Sequence, residues 1–305
     1  MQAAMDMAIV GRTRARLASA ASSIAGIVRA RPKDGSASDF ILRFCTDVLH
    51  LESLHFGMWQ EHHEPTLAGL REAQKDYTSF LIARIPAGVR SILDSGCGTG
   101  ELSERLIDAD YAVTAIAPDS YLSKIVRRKM RGRGTFVSTK FEEFATPERF
   151  DLIVMSESCQ YLSRHLAFPK ARELLAEGGH LLVSAYFRKR PTNYYGTVWV
   201  ESRFLENAAK SGFDVVSCDD ITQAALPTLD LGHRFHTEIF LPTIELVRDL
   251  AVAFCPPLVT KAVTFAFRKQ LALLTEFLYV KQFEQFDSRR FAEHVAYKVL
   301  LLRKA

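Results

Sequence analysis

The segment ILDSGCGTGEL, Ile92 to Leu102, sets three glycines (Gly96, Gly98 and Gly100) at alternate positions behind an apolar run and an aspartate, Asp94. Glycine is needed where a ligand approaches the backbone too closely for a Cβ. The dinucleotide fingerprint G-x-G-x-x-G rests a pyrophosphate on a helix N-terminus. Here the order is D-x-G-x-G-x-G, and Glu101 follows the loop directly. A carboxylate at that helix start repels a diphosphate and favours a cationic ligand. Two other stretches carry residue types suited to chemistry. LHFGMW (Leu54 to Trp59) combines a titratable ring, His55, with the π faces of Phe56 and Trp59. SESCQYL (Ser156 to Leu162) offers Glu157, Gln160 and Tyr161 at the end of an apolar run. Cys159 in that stretch reads as a small buried residue.

The elements that must position these residues read as an α/β pattern. Short apolar runs at 89–94, 111–117, 134–139, 150–156, 180–187 and 213–219 alternate with helical periodicity, which predicts a parallel sheet with helices on both faces. Such a sheet presents ligand contacts at the C-terminal ends of its strands. Before this core, Phe40–Leu54 and Leu67–Ile85 read as helices. After it, 223–290 contains no convincing strand and reads as two or three inserted helices. HVAYKVLLLRK, 294–304, is the last strand. The expected organisation is therefore a basic arm or helix (1–39), a helical lid (40–88), a ligand-binding core (89–222), a helical insertion (223–290) and a closing strand (291–305).

The 305 residues, 48% of them apolar, suffice for one large core with an insertion. A net charge of +4, with no dense basic tract, argues against a nucleic-acid partner. Five cysteines without a C-x-x-C pair predict no metal site and a reducing, cytoplasmic compartment. The first 33 residues hold six cations against one acid, which fits a basic first helix or, alternatively, an organellar transit peptide. His62 and His63 lie in a polar stretch and are expected to be exposed.

ILDSGCGTGELSERL resembles motif I of the class I S-adenosylmethionine-dependent methyltransferases. FDLIVMSES and LLAEGGHLLVSAYF resemble the family's fourth- and fifth-strand motifs. The resemblance covers about Ser91 to Asp219 and the last strand. It implies a Rossmann-like, seven-stranded, mostly parallel sheet with S-adenosyl-L-methionine as cofactor. By that resemblance Gly96, Cys97, Gly98 and Gly100 line the methionine and ribose portion, Asp94 serves the amino-acid end, and Ser156 closes the site from strand four. The family's ribose-binding acid at the end of strand two is replaced by Ala117, which hands the diol to Asp119, Ser120 or backbone groups. Phe141 and Glu142 are expected at the adenine, or else in an exposed acidic turn. LHFGMW resembles the aromatic segment that closes over the cofactor, with a hydrophobic plug as the alternative.

SESCQYL is comparable to a stretch in sterol- and tocopherol-type C-methyltransferases and cyclopropane fatty-acid synthases, but has Gln160 and Tyr161 where those carry Glu and His. An amide does not hold a bicarbonate base. The expected reaction is therefore methyl transfer to a hydroxyl or amine of a small, partly apolar metabolite, assisted by Tyr161 or His55. A lipid-modifying C-methyltransferase or cyclopropane-type synthase, and a non-catalytic cofactor-binding protein, stand as alternatives. Arg188, Lys189 and Arg190 serve an acidic substrate group or a solvated turn. The 223–290 insertion reads by default as ordinary core packing against the sheet edge, with three other uses open: capping a hydrophobic, lipid-like substrate, touching a membrane surface through 246–283, or pairing two subunits.

Overall fold

The computed structural model describes residues 42–276 and 286–305. The chain divides into two compact units, one ending at His50 and the other running from Leu51 to Ala305. Within the first, the described residues hold a single π-helical turn, Phe44–Val48. The helix expected over Phe40–Leu54 does not continue beyond it. In the second unit, residues 51–66 are irregular. Leu49 to Thr66 contains Gly57, Pro65, Ser53 and Thr66, residue types that favour turns or caps over helix interior. The basic arm at 1–39 lies outside the described residues.

The larger unit is built on a seven-stranded sheet. The strands are β1 (Ser91–Ser95), β2 (Ala112–Ile116), β3 (Thr135–Val137), β4 (Phe150–Ser156), β5 (Leu175–Arg188), β6 (Phe213–Asp220) and β7 (Val295–Lys304). Their spatial order is β3-β2-β1-β4-β5-β7-β6. Pairing is parallel from β3 to β5, and β7 runs antiparallel between β5 and β6. The chain order reverses beside β1, so the ends of β1 and β4 form the switch point at which such sheets bind ligands.

Alternation along the strands divides the core between the two faces. Leu93, Ile153, Leu181, Val183 and Leu302 pack on one side with α4 (Ala167–Leu174) and α5 (Glu201–Lys210). Ile92, Leu152, Val154, Leu182 and Leu301 pack on the other with α1 (Leu67–Ile82), α2 (Glu101–Asp108) and α3 (Ser120–Met130). α1 begins where the Thr66 hydroxyl accepts the Gly69 N–H, an N-cap that satisfies one orphan donor of the first turn.

The insertion opens with α6 (Thr222–Phe235), which runs through a π turn at His236–Phe240 into α7 (Leu241–Phe254). Next come α8 (Pro257–Ala266), α9 (Arg268–Glu276) and, after 277–285, α10 (Ser288–His294). The insertion thus holds more helical pieces than the two or three expected. Breaks at Cys255–Pro256 and at Phe267 divide a continuous apolar pattern that sequence periodicity alone merges.

Candidate active site

Three backbone requirements explain the glycine loop. Gly96 sits at φ +78°, and a Cβ there would lie 2.4 Å from the Ser158 Cβ. Gly100 sits at φ +79° and a Cβ would crowd Val126 at 3.3 Å, so α2 starts close against α3. Gly98 also has positive φ, +54°, yet a Cβ there would meet nothing within 4 Å. Positive φ favours glycine at all three. Packing reinforces that requirement at Gly96 and Gly100, while Gly98 faces open space. The loop is tied down by the Gly96 and Cys97 N–H groups, both donating to the Ile116 carbonyl, and by the Thr99 hydroxyl, which donates to the carbonyl of Glu52.

Asp94, the penultimate residue of β1, is buried and accepts from the Ser103 hydroxyl at 2.5 Å. Burial pushes its pKa up to about 6, the Ser103 bond pulls the other way, and the neighbouring charge of Glu101 adds a smaller upward push. Glu101 accepts from the Thr78 hydroxyl at 2.8 Å, and burial raises its pKa as well. Burial likewise holds the Cys97 and Cys159 thiols above their ordinary range, consistent with packing roles.

Beside the loop lies a cleft of about 660 Å³ lined by Gly96, Ile116, Pro118, Phe141, Glu142 and Tyr161, among others. Gly96, Phe141, Glu142 and Tyr161 thus lie together on one cleft. Asp94, Cys97, Gly98, Gly100, Asp119, Ser120 and Ser156 do not line the cleft. Asp119 uses one carboxylate oxygen to cap α3, accepting the Leu122 N–H at 2.8 Å, and Ser120 is exposed. Ala117 is buried, so its methyl presents no acceptor for a diol. Glu142 accepts the Ser163 N–H at 2.7 Å, which ties the loop after β3 to the loop after β4.

The second half of the site surrounds Glu157, the residue after β4. It holds φ +51°, unusual for a residue with a side chain. Its own N–H donates to the Ser184 carbonyl at 2.7 Å. Oε1 accepts from the Phe56 N–H at 2.8 Å and from the Tyr297 hydroxyl at 2.5 Å. Both of these bonds fall on one oxygen. Burial pushes the Glu157 pKa up to about 7 against the downward pull of the two bonds. The Tyr297 hydroxyl lies 3.0 Å from that of Tyr77, which in turn reaches Ser184 Oγ at 2.7 Å and Ser156 Oγ at 2.9 Å. Glu157 is therefore one end of a buried hydroxyl chain contributed by α1, β4, β5 and β7. Rings close around it: Phe56 stacks on Tyr186 at 5.8 Å and meets Tyr297 edge-on at 5.8 Å, and Tyr195 meets Tyr186 edge-on at 5.8 Å. Sequence reasoning missed Tyr77, Tyr186, Tyr195 and Tyr297. Each stands in an ordinary helix, strand or loop, and only the fold gathers them.

Several expectations are corrected. His55 donates Nδ1–H to its neighbour's carbonyl, Phe56 O, at 2.8 Å, and burial drives its pKa down to about 4. That makes it a weak base, fixed in one tautomer. Trp59 forms the plug, not the lid. It is buried with Leu70 and Ala73, and its indole N–H donates to Thr228 Oγ1 at 2.8 Å. The same oxygen accepts the Gly57 N–H at 3.0 Å, and a Cβ on Gly57 would strike Ala73 at 2.7 Å. Replacing Thr228 with valine strands two donors, so Thr228→Val should cost roughly 1–3 kcal/mol in urea unfolding and change the Trp59 emission. His63 is buried, not exposed: Nδ1 accepts the Gln60 N–H at 3.0 Å and Nε2 lies 3.4 Å from Asp76. With both nitrogens engaged, the cluster of His62, His63 and Asp76 serves to anchor a loop. Arg188 is buried too, donating to the Val198 and Thr192 carbonyls, and Lys189 Nζ donates to Ala292 O. These two cations staple the turn after β5, Arg188 from a buried position and Lys189 from an exposed one. Gln160 Nε2 donates to Glu157 O at 2.6 Å, whereas its Oε1 is buried without a partner.

The sheet order, the glycine loop at its switch point and the neighbouring cleft define a class I methyltransferase fold. Residues 92–179 match the model of a methyltransferase domain. An uncharacterised methyltransferase of Bacillus subtilis is 28% identical over 194 residues, 61% of this chain and 87% of the relative. One from Geobacillus kaustophilus is 25% identical over 58% of this chain and 82% of its own length. The chain is accordingly a methyltransferase, and S-adenosylmethionine is its cofactor.

Solved structures share the fold. A putative sarcosine dimethylglycine methyltransferase from Galdieria sulphuraria aligns with a TM-score of 0.64 at 15% identity, covering 87% of this chain and 98% of that one. A geranyl diphosphate methyltransferase in complex with geranyl diphosphate and sinefungin aligns at 0.61 and 14%, covering 85% and 93%. The [4+2]-cyclase SpnF aligns at 0.60 and 18%, covering 86% and 93%, so the fold by itself does not choose the reaction.

The residues present fit the cofactor. Open space faces Gly98, a cleft large enough for a nucleoside adjoins Gly96, and one buried acid, Asp94, stands near the end of β1.

Proposed function

We propose that the chain transfers a methyl group from S-adenosylmethionine to a hydroxyl or amine of a small, partly apolar metabolite, with Glu157 as general base. The observation that carries this reading is the Glu157 carboxylate itself. It is partly buried at a strand end, desolvation raises its pKa to about 7, and both of its hydrogen bonds sit on Oε1. Oε2 is left to take a proton from the acceptor. A base with a pKa near the working pH balances ionisation against basicity.

The cofactor supplies an electrophilic methyl for in-line displacement. Gly96, Gly98 and Phe141 are proposed to hold it, with Asp94 facing its amino-acid end and Glu142 and Asp119 the nucleoside. Phe56 closes the acceptor side and places its N–H on Glu157. Tyr161, 81% exposed at the mouth of the cleft, is proposed to guide the acceptor. His55 and Gln160 position the segments around Glu157.

A second reading, methylation of an alkene carbon, is favoured by one observation: the rings of Phe56, Tyr186, Tyr195 and Tyr297 around Glu157 could shield a carbocation.

Calorimetric titration with S-adenosylmethionine should give micromolar binding. No heat at millimolar cofactor would refute both readings. Transfer of a labelled methyl group to phenols, alcohols, amines and isoprenoid alkenes, followed by carbon NMR of the products, separates them. A methyl resonance bonded to oxygen or nitrogen supports Glu157 as base, and one bonded to carbon replaces it with the second reading.

A further inference from the structure

α7, α8 and α9 form an arm whose apolar side chains find little cover. Leu246 and Leu250 on α7 are 60% and 50% exposed, and Phe254, Leu258 and Phe265 are 86%, 81% and 71% exposed. Large exposed apolar surface is rare unless something covers it. The charge pattern indicates what does. Between Asp249 and Glu276 the sequence holds no acid, and its only charged residues are Lys261, Arg268 and Lys269. Apolar side chains interleaved with cations alone complement an anionic, amphipathic surface. The arm is too short to enter a bilayer end-on. α7 has 14 residues, which at 1.5 Å per residue reach about 21 Å of a hydrocarbon core of about 30 Å. Among the described residues no helix is long and apolar enough to cross a membrane.

We propose that this arm docks on the surface of an anionic lipid bilayer, with Phe254, Leu258 and Phe265 in the interface and Lys261, Arg268 and Lys269 at the headgroups. The placement has a consequence for the site. α7 continues α6 through the π turn, and α6 carries Thr228, which holds Gly57 and Trp59 beside Phe56. Docking therefore sets the Glu157 side of the site near the membrane, where an apolar acceptor would be concentrated. The docking itself does not depend on which acceptor atom is methylated.

The test is sedimentation of the full chain with vesicles of phosphatidylcholine alone or with one quarter phosphatidylglycerol. Binding should be at least tenfold stronger to the anionic vesicles and should weaken several-fold between low and high salt. The variant Lys261→Glu/Arg268→Glu/Lys269→Glu should lose at least tenfold. Phe254→Ser/Leu258→Ser/Phe265→Ser should lose binding even at low salt. Both variants alter exposed positions, so melting temperature and calorimetric affinity for S-adenosylmethionine should match the parent; that shows the fold and the methyltransferase site are intact whatever the vesicles report. The proposal is overturned if the parent stays in the supernatant with both vesicles, or if the variants bind as it does. It is equally overturned if ultracentrifugation shows a dimer that the serine variant dissociates, with no vesicle binding, since a second copy then covers the arm.

Discussion

Glu157→Gln is expected to lower kcat with a hydroxyl acceptor by about 10²–10⁴-fold, the usual contribution of a general base, and to stabilise the fold at alkaline pH. The amide keeps an acceptor for the Phe56 N–H and the Tyr297 hydroxyl, so the loop geometry survives while the proton acceptor is removed. Calorimetric affinity for S-adenosylmethionine should be unchanged, which separates loss of the base from collapse of the site. The pH dependence follows from the raised pKa. In the parent, kcat/KM should climb with pH and level off above about 7, as the carboxylate ionises. The glutamine variant should lack that limb.

Stability runs the opposite way. The folded pKa of about 7 exceeds the ordinary 4.5, so folding favours the protonated acid. That contribution is complete below about 4.5 and is lost as pH rises through 7. Its size is on the order of 3 kcal/mol. Parent and variant should therefore unfold alike near pH 5, and the variant should be the more stable at pH 8. Asp94, raised to about 6 by burial, tilts both proteins in the same sense and cancels in the comparison. An unchanged kcat in the variant would remove Glu157 from the chemistry.

The site was legible in the sequence where it is local and illegible where it is assembled. Asp94, Gly96 and Glu101 lie within eleven residues whose spacing states their backbone needs, and the parallel order around β1 follows from strands alternating with helices. The proposed base, Glu157, was visible as a residue type at a strand end. Its environment was not. The hydroxyls of Tyr77 and Tyr297 are 220 positions apart in the chain, and no periodicity in α1 or β7 marks them as anything other than core. The same limit explains His55 and Trp59. Both have side chains suited to function, but α1 and α6 engage them. The His55 ring packs on that of Tyr77 at 4.2 Å, and Thr228 takes the Trp59 indole. Arg188 read as a surface cation because a charge run usually is solvated, whereas unpaired carbonyls of the following turn draw its guanidinium inward.

The glycines of the loop should separate experimentally into those the fold needs and one the ligand needs. At Gly96 an alanine meets two penalties: a left-handed backbone at φ +78° and a Cβ 2.4 Å from that of Ser158. Ser158 cannot give way easily, because its hydroxyl is bonded to the Ser95 carbonyl at 2.5 Å. Either β1 or the loop after β4 must shift, and the second carries Glu157. Gly96→Ala should destabilise the chain by about 2–5 kcal/mol, combining left-handed strain of about 1–2 kcal/mol with overpacking of about 1–3 kcal/mol. Gly98→Ala meets only the first penalty, since a Cβ there points into open space at φ +54°. It should cost about 1–2 kcal/mol in urea unfolding. Yet its methyl would occupy the space in which the cofactor approaches the loop, so affinity for S-adenosylmethionine should fall at least tenfold in calorimetry. A Gly98→Ala protein that binds the cofactor like the parent would show that the ligand does not pass over this residue. The donor site would then have to be drawn around the Phe141 and Glu142 side of the cleft alone.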